Sequence, residues 1–204
     1  MIELEKAADH FVLRNDNLEF SFRFVGDRWQ HEVRVRRENA WSPLLTSLEG
    51  NPADADLPSP AFQDLRFEQP TEGVYEFQLM GQSGKGVYSA AVRFDAAQRL
   101  LDFDLCARGP AAYPELCTIS TYCLADRELM PELRLDGGSA IIGTAGGGSL
   151  NIVPVPIPGS PPCESRLTGE TGDRRLTVGC FGVVGANSNG KTRSIRWRHQ
   201  IRHS

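Results

Sequence analysis

Apolar and polar residues alternate along most of this chain. Leu18, Phe20, Phe22 and Phe24 are interleaved with Glu19, Ser21 and Arg23; Trp29, His31, Val33 and Val35 are interleaved with Arg28, Gln30, Glu32, Arg34 and Arg36. A period of two puts one set on the buried face of a β-strand and the other on its wetted face. Val25-Gly26-Asp27, between the two runs, supplies a hairpin turn. The same pattern predicts strands at Phe11–Arg14, Phe62–Gln69, Val74–Met80, Tyr88–Phe94, Leu100–Ala107, Cys117–Ala125, Arg175–Val184 and Ser194–Arg202. In the last of these Ile195, Trp197, His199 and Ile201 share one face, and Arg196, Arg198, Gln200 and Arg202 the other.

Glycine and proline punctuate these runs, and no segment carries a sustained helical stripe. Single helical turns are expected at most, at Pro131–Leu135 and Ala96–Arg99. Two stretches interrupt the alternation: residues 51–60, NPADADLPSP, and 153–163, VPVPIPGSPPC. Both read as proline-rich surface loops, because proline donates nothing to a sheet ladder and belongs at an edge or in an extended connection. A domain boundary at the second would leave only about 40 residues behind it, a piece too small to fold alone. The expectation is therefore one all-β domain over residues 1–204, a large antiparallel β-sandwich with little helix and about a dozen strands.

Composition narrows the function classes. The 204 residues are 40% hydrophobic and carry a formal net charge of −4, which supports a real core and argues against a nucleic-acid binder. No run approaches the roughly 20 apolar residues of a membrane helix. The charged opening, Met1-Ile2-Glu3-Leu4-Glu5-Lys6, does not look like a signal peptide. Five cysteines without CxxC spacing then read as reduced thiols in a cytoplasmic protein. Neither a metal nor any other cofactor is expected.

One motif is complete but misplaced. Gly185 to Thr192, with Gly190 and Lys191, spells GxxxxGK[ST], the loop whose backbone cradles phosphates while its lysine pairs with them. That loop has to open a helix. Here the residues after Thr192 alternate as a strand, and Asn-Ser-Asn-Gly-Lys is ordinary hairpin-loop chemistry. The sequence reads as a hairpin and a decoy, with no nucleotide bound. Gly146-Gly147-Gly148 likewise reads as a turn.

The remaining candidates are scattered. His31 and His199 both lie on apolar strand faces, where a histidine is a hydrogen-bonded core residue or, if two meet at a mouth, a proton-transfer pair. Asp102 and Asp104 share the polar face of one strand, either as a solvated face or as an acid pair. Trp29, Trp41, Tyr75, Tyr88 and Tyr122 offer ring faces suited to sugars or to the core.

The opening Phe11-Val12-Leu13-Arg14-Asn15-Asp16-Asn17-Leu18-Glu19-Phe20-Ser21-Phe22, with the hairpin to Trp29–Val35, resembles the start of galactose-mutarotase-like β-supersandwich domains. These domains occur in aldose epimerases and as accessory domains of glycoside hydrolases and lyases. Ser194–Ile201 resembles one of their closing strands. The resemblance covers about a quarter of the chain and implies a supersandwich and a carbohydrate context. It carries over no catalysis, since the histidine pair and glutamate base of the epimerases find no residue-by-residue match here. The expected function is carbohydrate binding rather than catalysis. A sugar-active enzyme related to epimerases or lyases, and a protein-interaction sandwich with no small-molecule site, are the alternatives. The expected ligand site is a mouth formed by Trp29, His31, Trp41, Glu49, Gln63 and Arg108, with the arginine reaching from a strand end toward vicinal hydroxyls or a carboxylate.

Overall fold

The computed structural model describes residues 2–15, 17–38, 40–48, 59–111, 113, 116–125, 130, 132–144, 147–168, 174–181 and 192–204. They form two eight-stranded sheets, antiparallel throughout, and among the described residues there is no helix. The first sheet runs, edge to edge, β1 (Glu3–Lys6), β2 (His10–Arg14), β3 (Leu18–Val25), β4 (Arg28–Arg37), β5 (Ala40–Ser47), β10 (Ile119–Leu124), β15 (Arg175–Gly179), β14 (Glu164–Thr168). The second runs β11 (Glu132–Asp136), β12 (Ser139–Gly143), β13 (Ser149–Val155), β16 (Thr192–His203), β9 (Leu100–Pro110), β8 (Gly86–Asp95), β7 (Val74–Ser83), β6 (Asp64–Thr71).

The alternation in the sequence becomes the two sides of these sheets. Phe20, Phe22, Phe77, Phe103, Tyr122 and Trp197 are all fully buried between them. Rings from opposite sheets meet directly, Phe22 with Phe77 at 4.9 Å and Phe20 with Phe103 at 6.1 Å. Each such ring buries enough apolar surface to contribute about 1.5–3 kcal/mol. At one side of the sandwich the Lys6 ammonium sits 5.2 Å from the Phe67 ring and 5.6 Å from Phe11, closing the gap between β2 and β6 with a cation–π contact.

The predicted turn between β3 and β4 is present. Val25 pairs with Arg28, and Gly26 takes a φ of +67°, which only glycine adopts freely. Three expectations are corrected. Residues 132–136 form β11 and not a helical turn, because Leu133 packs on the core while its neighbours face water. Residues 153–155 belong to β13 and not to a loop. Pro154 pairs with His199 on β16, while the pairing of β13 with β12 stops at Ile152, so the proline occupies a local edge. Third, β15 and β16 lie in different sheets and are not hairpin partners.

The short segment from Ser59 to Gln63 closes one end of the core. The Trp29 amide donates to the Phe62 carbonyl at 2.8 Å, and the Thr121 amide donates to Ser59 Oγ at 2.7 Å. The segment runs so close to β7 that a Cβ on Gly81 would lie 1.9 Å from the Ala61 oxygen, hence the glycine there.

Candidate functional site

The residues expected at one mouth do not converge. Trp41 pairs with Arg36, not with Trp29. A hairpin juxtaposes residues equidistant from its turn, and Trp29 is seven positions further along β4, about 24 Å away. Trp29 is buried against Phe11 and Phe24, at 5.9 and 5.3 Å between ring centroids. Trp41 is half-buried at the other end of the same hairpin. Gln63 is a neighbour of Trp29 through Phe62, but its amide extends the ladder: the Gln82 N–H donates to Gln63 Oε1 at 2.8 Å. Arg108 is exposed on the outer face of β9, between Val87 and Ser194. Glu49 lies outside the described residues. So do Gly185, Gly190 and Lys191 of the phosphate-loop motif, while Thr192 opens β16, a strand rather than a helix.

His31 and His199 do meet, inside the core. The Tyr122 hydroxyl lies 3.2 Å from His31 Nε2 and 3.0 Å from His199 Nε2, bridging β4 and β16 across the sandwich. His199 is 0% exposed and stacks on Phe103 at 4.8 Å with the rings within 4° of parallel. Burial, reinforced for His31 by the neighbouring His199, holds the imidazoles far below their ordinary range, at about 3. Both rings are therefore neutral at physiological pH. His199 Nδ1 has no hydrogen-bond partner among the described residues. A bare lone pair costs less than a bare N–H, which assigns the His199 proton to Nε2. His199 then donates to the Tyr122 oxygen, and the Tyr122 O–H donates to His31 Nε2. Beside this network lies a cavity of about 10 Å³ lined by His31, Ser59, Ser120 and apolar side chains, room for a water and not for a sugar. It is a structural network.

The outer face of the second sheet is different. There β9 and β16 carry two bidentate ion pairs. Arg198 Nε donates to Asp102 Oδ1 at 2.8 Å and Arg196 Nε to Asp104 Oδ1 at 2.6 Å, and each Nη2 binds the second oxygen of its partner. Gln200 Nε2 adds a bond to Asp102 Oδ2 at 3.3 Å. Partial burial raises the Asp102 carboxyl, but Arg198 and Gln200 outweigh it and hold the group below the usual carboxylate range.

On either side of these pairs the face is hollow. A depression of about 230 Å³ lies over β7, β8 and β9, lined by Glu76, Gln78, Arg93, Asp102, Asp104 and Arg198. A second, of about 430 Å³, lies over β11, β12, β13 and β16, lined by Asp136, Ser139, Ile141, Asn151, Gln200 and Arg202.

No known protein family matches this chain, and no curated protein does.

The two hollows and the ion pairs between them lie in a row across seven strands, about 29 Å at the usual strand spacing, a region called the trough below. Four arginines (93, 196, 198 and 202) face four carboxylates (Glu76, Asp102, Asp104 and Asp136), so the trough is close to neutral. At its centre Asp102, Asp104, Arg196, Arg198 and Gln200 hold one another in place, so they meet a ligand with little loss of side-chain freedom. Asp102 and Asp104 share a polar strand face, as expected, but their partners Arg196 and Arg198 lie on a strand distant in sequence. The signal was present in the outward positions of β9 and β16, where acidic and basic residues occupy matching faces of two long strands.

Proposed function

We propose that the chain is a carbohydrate-binding β-sandwich that holds a neutral, linear oligosaccharide along the outer face of the second sheet. The observation that carries the reading is the trough itself: a long, shallow, charge-balanced groove of Asp, Asn, Gln and Arg side chains preorganised by the Arg198–Asp102 and Arg196–Asp104 pairs. Vicinal hydroxyls each donate and accept, and match a surface that mixes carboxylates with guanidinium and amide groups. The likeness of the first and last strands to galactose-mutarotase-like domains points to the same class of ligand. The reading is of binding and not of catalysis, because the two histidines best suited to proton transfer are sealed in the core.

The test is a screen of neutral and acidic linear oligosaccharides by glycan array, followed by calorimetry on the best binder. Gln200→Ala and Arg202→Ala should each weaken binding about tenfold, the worth of one lost hydrogen bond of this kind, with melting temperatures unchanged. Binding that survives both substitutions, or that is confined to polyanions, would refute the proposal.

A further inference from the structure

β14 is the last strand of the first sheet and pairs only with β15. That pairing runs from Thr168 opposite Arg175 to Glu164 opposite Gly179. One step further in the same register, Cys163 comes opposite Cys180. Both side chains turn inward. Ser165 and Val178, two residues along each strand, are an opposed and buried pair, and alternation places Cys163 and Cys180 on their side. The contacts agree: Cys180 is buried in the core, Cys163 packs against it, and the Cys180 thiol donates to the carbonyl of Pro161, two residues before Cys163, at 3.5 Å. Opposed residues of antiparallel strands have Cα atoms about 4.5–5.5 Å apart, inside the roughly 4.4–6.8 Å that a disulfide spans. Both cysteines are free thiols.

We propose that Cys163 and Cys180 are a disulfide-forming pair that fastens β14 to β15 when a small-molecule disulfide of the oxidised-glutathione type is present. Either thiol, as a thiolate, attacks the small disulfide and displaces one thiol. Its partner then attacks the mixed disulfide and displaces the second. Two protein thiols and one small disulfide become one protein disulfide and two small thiols, with both protons passing to solvent or to the released thiolates. Burial pushes Cys163 up to about 12 and Cys180 up to about 11, and the proximity of Cys180 adds to the rise at Cys163. The exchange is accordingly slow at neutral pH and speeds up about tenfold per pH unit in the alkaline direction.

The reduced full chain is equilibrated in glutathione buffers of increasing oxidised fraction at about pH 8.5, blocked with maleimide and digested with trypsin. The expected product links the peptides spanning residues 135–166 and 176–191, two hydrogens lighter than their sum, and the linked protein melts above the reduced one. Cys163→Ser abolishes the product and Cys117→Ser leaves it intact. Five blocked thiols at the most oxidising ratio, linkage of Cys180 to Cys117, or a linked form that melts below the reduced form would each overturn the assignment. The wild-type peptide map decides the matter even if a variant fails to fold.

Discussion

On one side of β16 stand Ile195, Trp197, His199 and Ile201; on the other, 3.4 Å along the same backbone at each step, stand Arg196, Arg198, Gln200 and Arg202. Both sides carry polar groups that find partners, yet they solve the problem oppositely. Inside, His31, Tyr122 and His199 are kept neutral and share protons through one hydroxyl. Outside, Arg198 and Asp102 stay ionised and satisfy each other in a fork. The difference is water. Desolvating an imidazolium costs more than a neutral ring loses by giving up its charge, whereas the partly buried Asp102 is offset by a two-pronged contact with an arginine that still reaches water. The lesson is that the depth of a polar group, and not its type, sets whether it is a fixture of the fold or a surface for a ligand.

Acidification should separate the two sides most strongly. Unfolded imidazoles bind a proton near 6.5, while the buried pair does so only near 3. Their contribution to stability is therefore intact above pH 6.5 and is lost as the pH falls toward 3, because the unfolded chain takes up protons that the folded chain refuses. At pH 5 the loss is roughly 2 kcal/mol per ring, about 4 kcal/mol together. Urea titrations at pH 7 and pH 5 would read it, and His199→Phe should remove about half of the difference. An unchanged difference in that variant would mean that the histidines are not its source.

Next in size is Tyr122→Phe. Removing the hydroxyl strands two imidazole nitrogens in a space with room for one water, which should lower stability by about 1–3 kcal/mol. The same urea midpoint at neutral pH in variant and wild type would show that the bridge contributes nothing.

The outer pairs should matter least. Asp104→Asn breaks one fork beside a largely exposed arginine and should change stability by no more than about 1 kcal/mol. That small effect should shrink further at about 1 M salt. A loss as large as that of Tyr122→Phe would erase the contrast between the two faces.

How far this could be read from the sequence follows the same division. Period two assigned residues 195–202 of β16 to their faces and placed His31 and His199 on the apolar sides of their strands, though it left the buried Arg193 and His203 unassigned. It did so because the burial of a strand face is a local property. Pairing is not local. Arg198 and Asp102 are 96 positions apart, and nothing near either one signals that β9 and β16 are neighbours, so the trough stayed hidden as two separate charged strands. Trp29 and Trp41 mislead for the converse reason: they are near in sequence, but most of β4 lies between Trp29 and the turn that Trp41 follows. β1 was hard to see because its alternation is only Ile2 and Leu4 against Glu3 and Glu5, too short a run to mark a strand, and its place depends on pairing with β2.

The position of β16 also bears on how the protein can be made. It is the last strand described, yet it lies between β13 and β9 and joins the two halves of its sheet. While the ribosome is still reading the final codons of this stretch, β1 to β5 can already pair in order with short loops, but β11–β13 and β6–β9 remain unconnected fragments, each exposing a long unpaired edge. The first half of the molecule can fold as it emerges. The second must wait, with open edges that neighbouring nascent chains can capture, until residue 203 is clear of the exit tunnel.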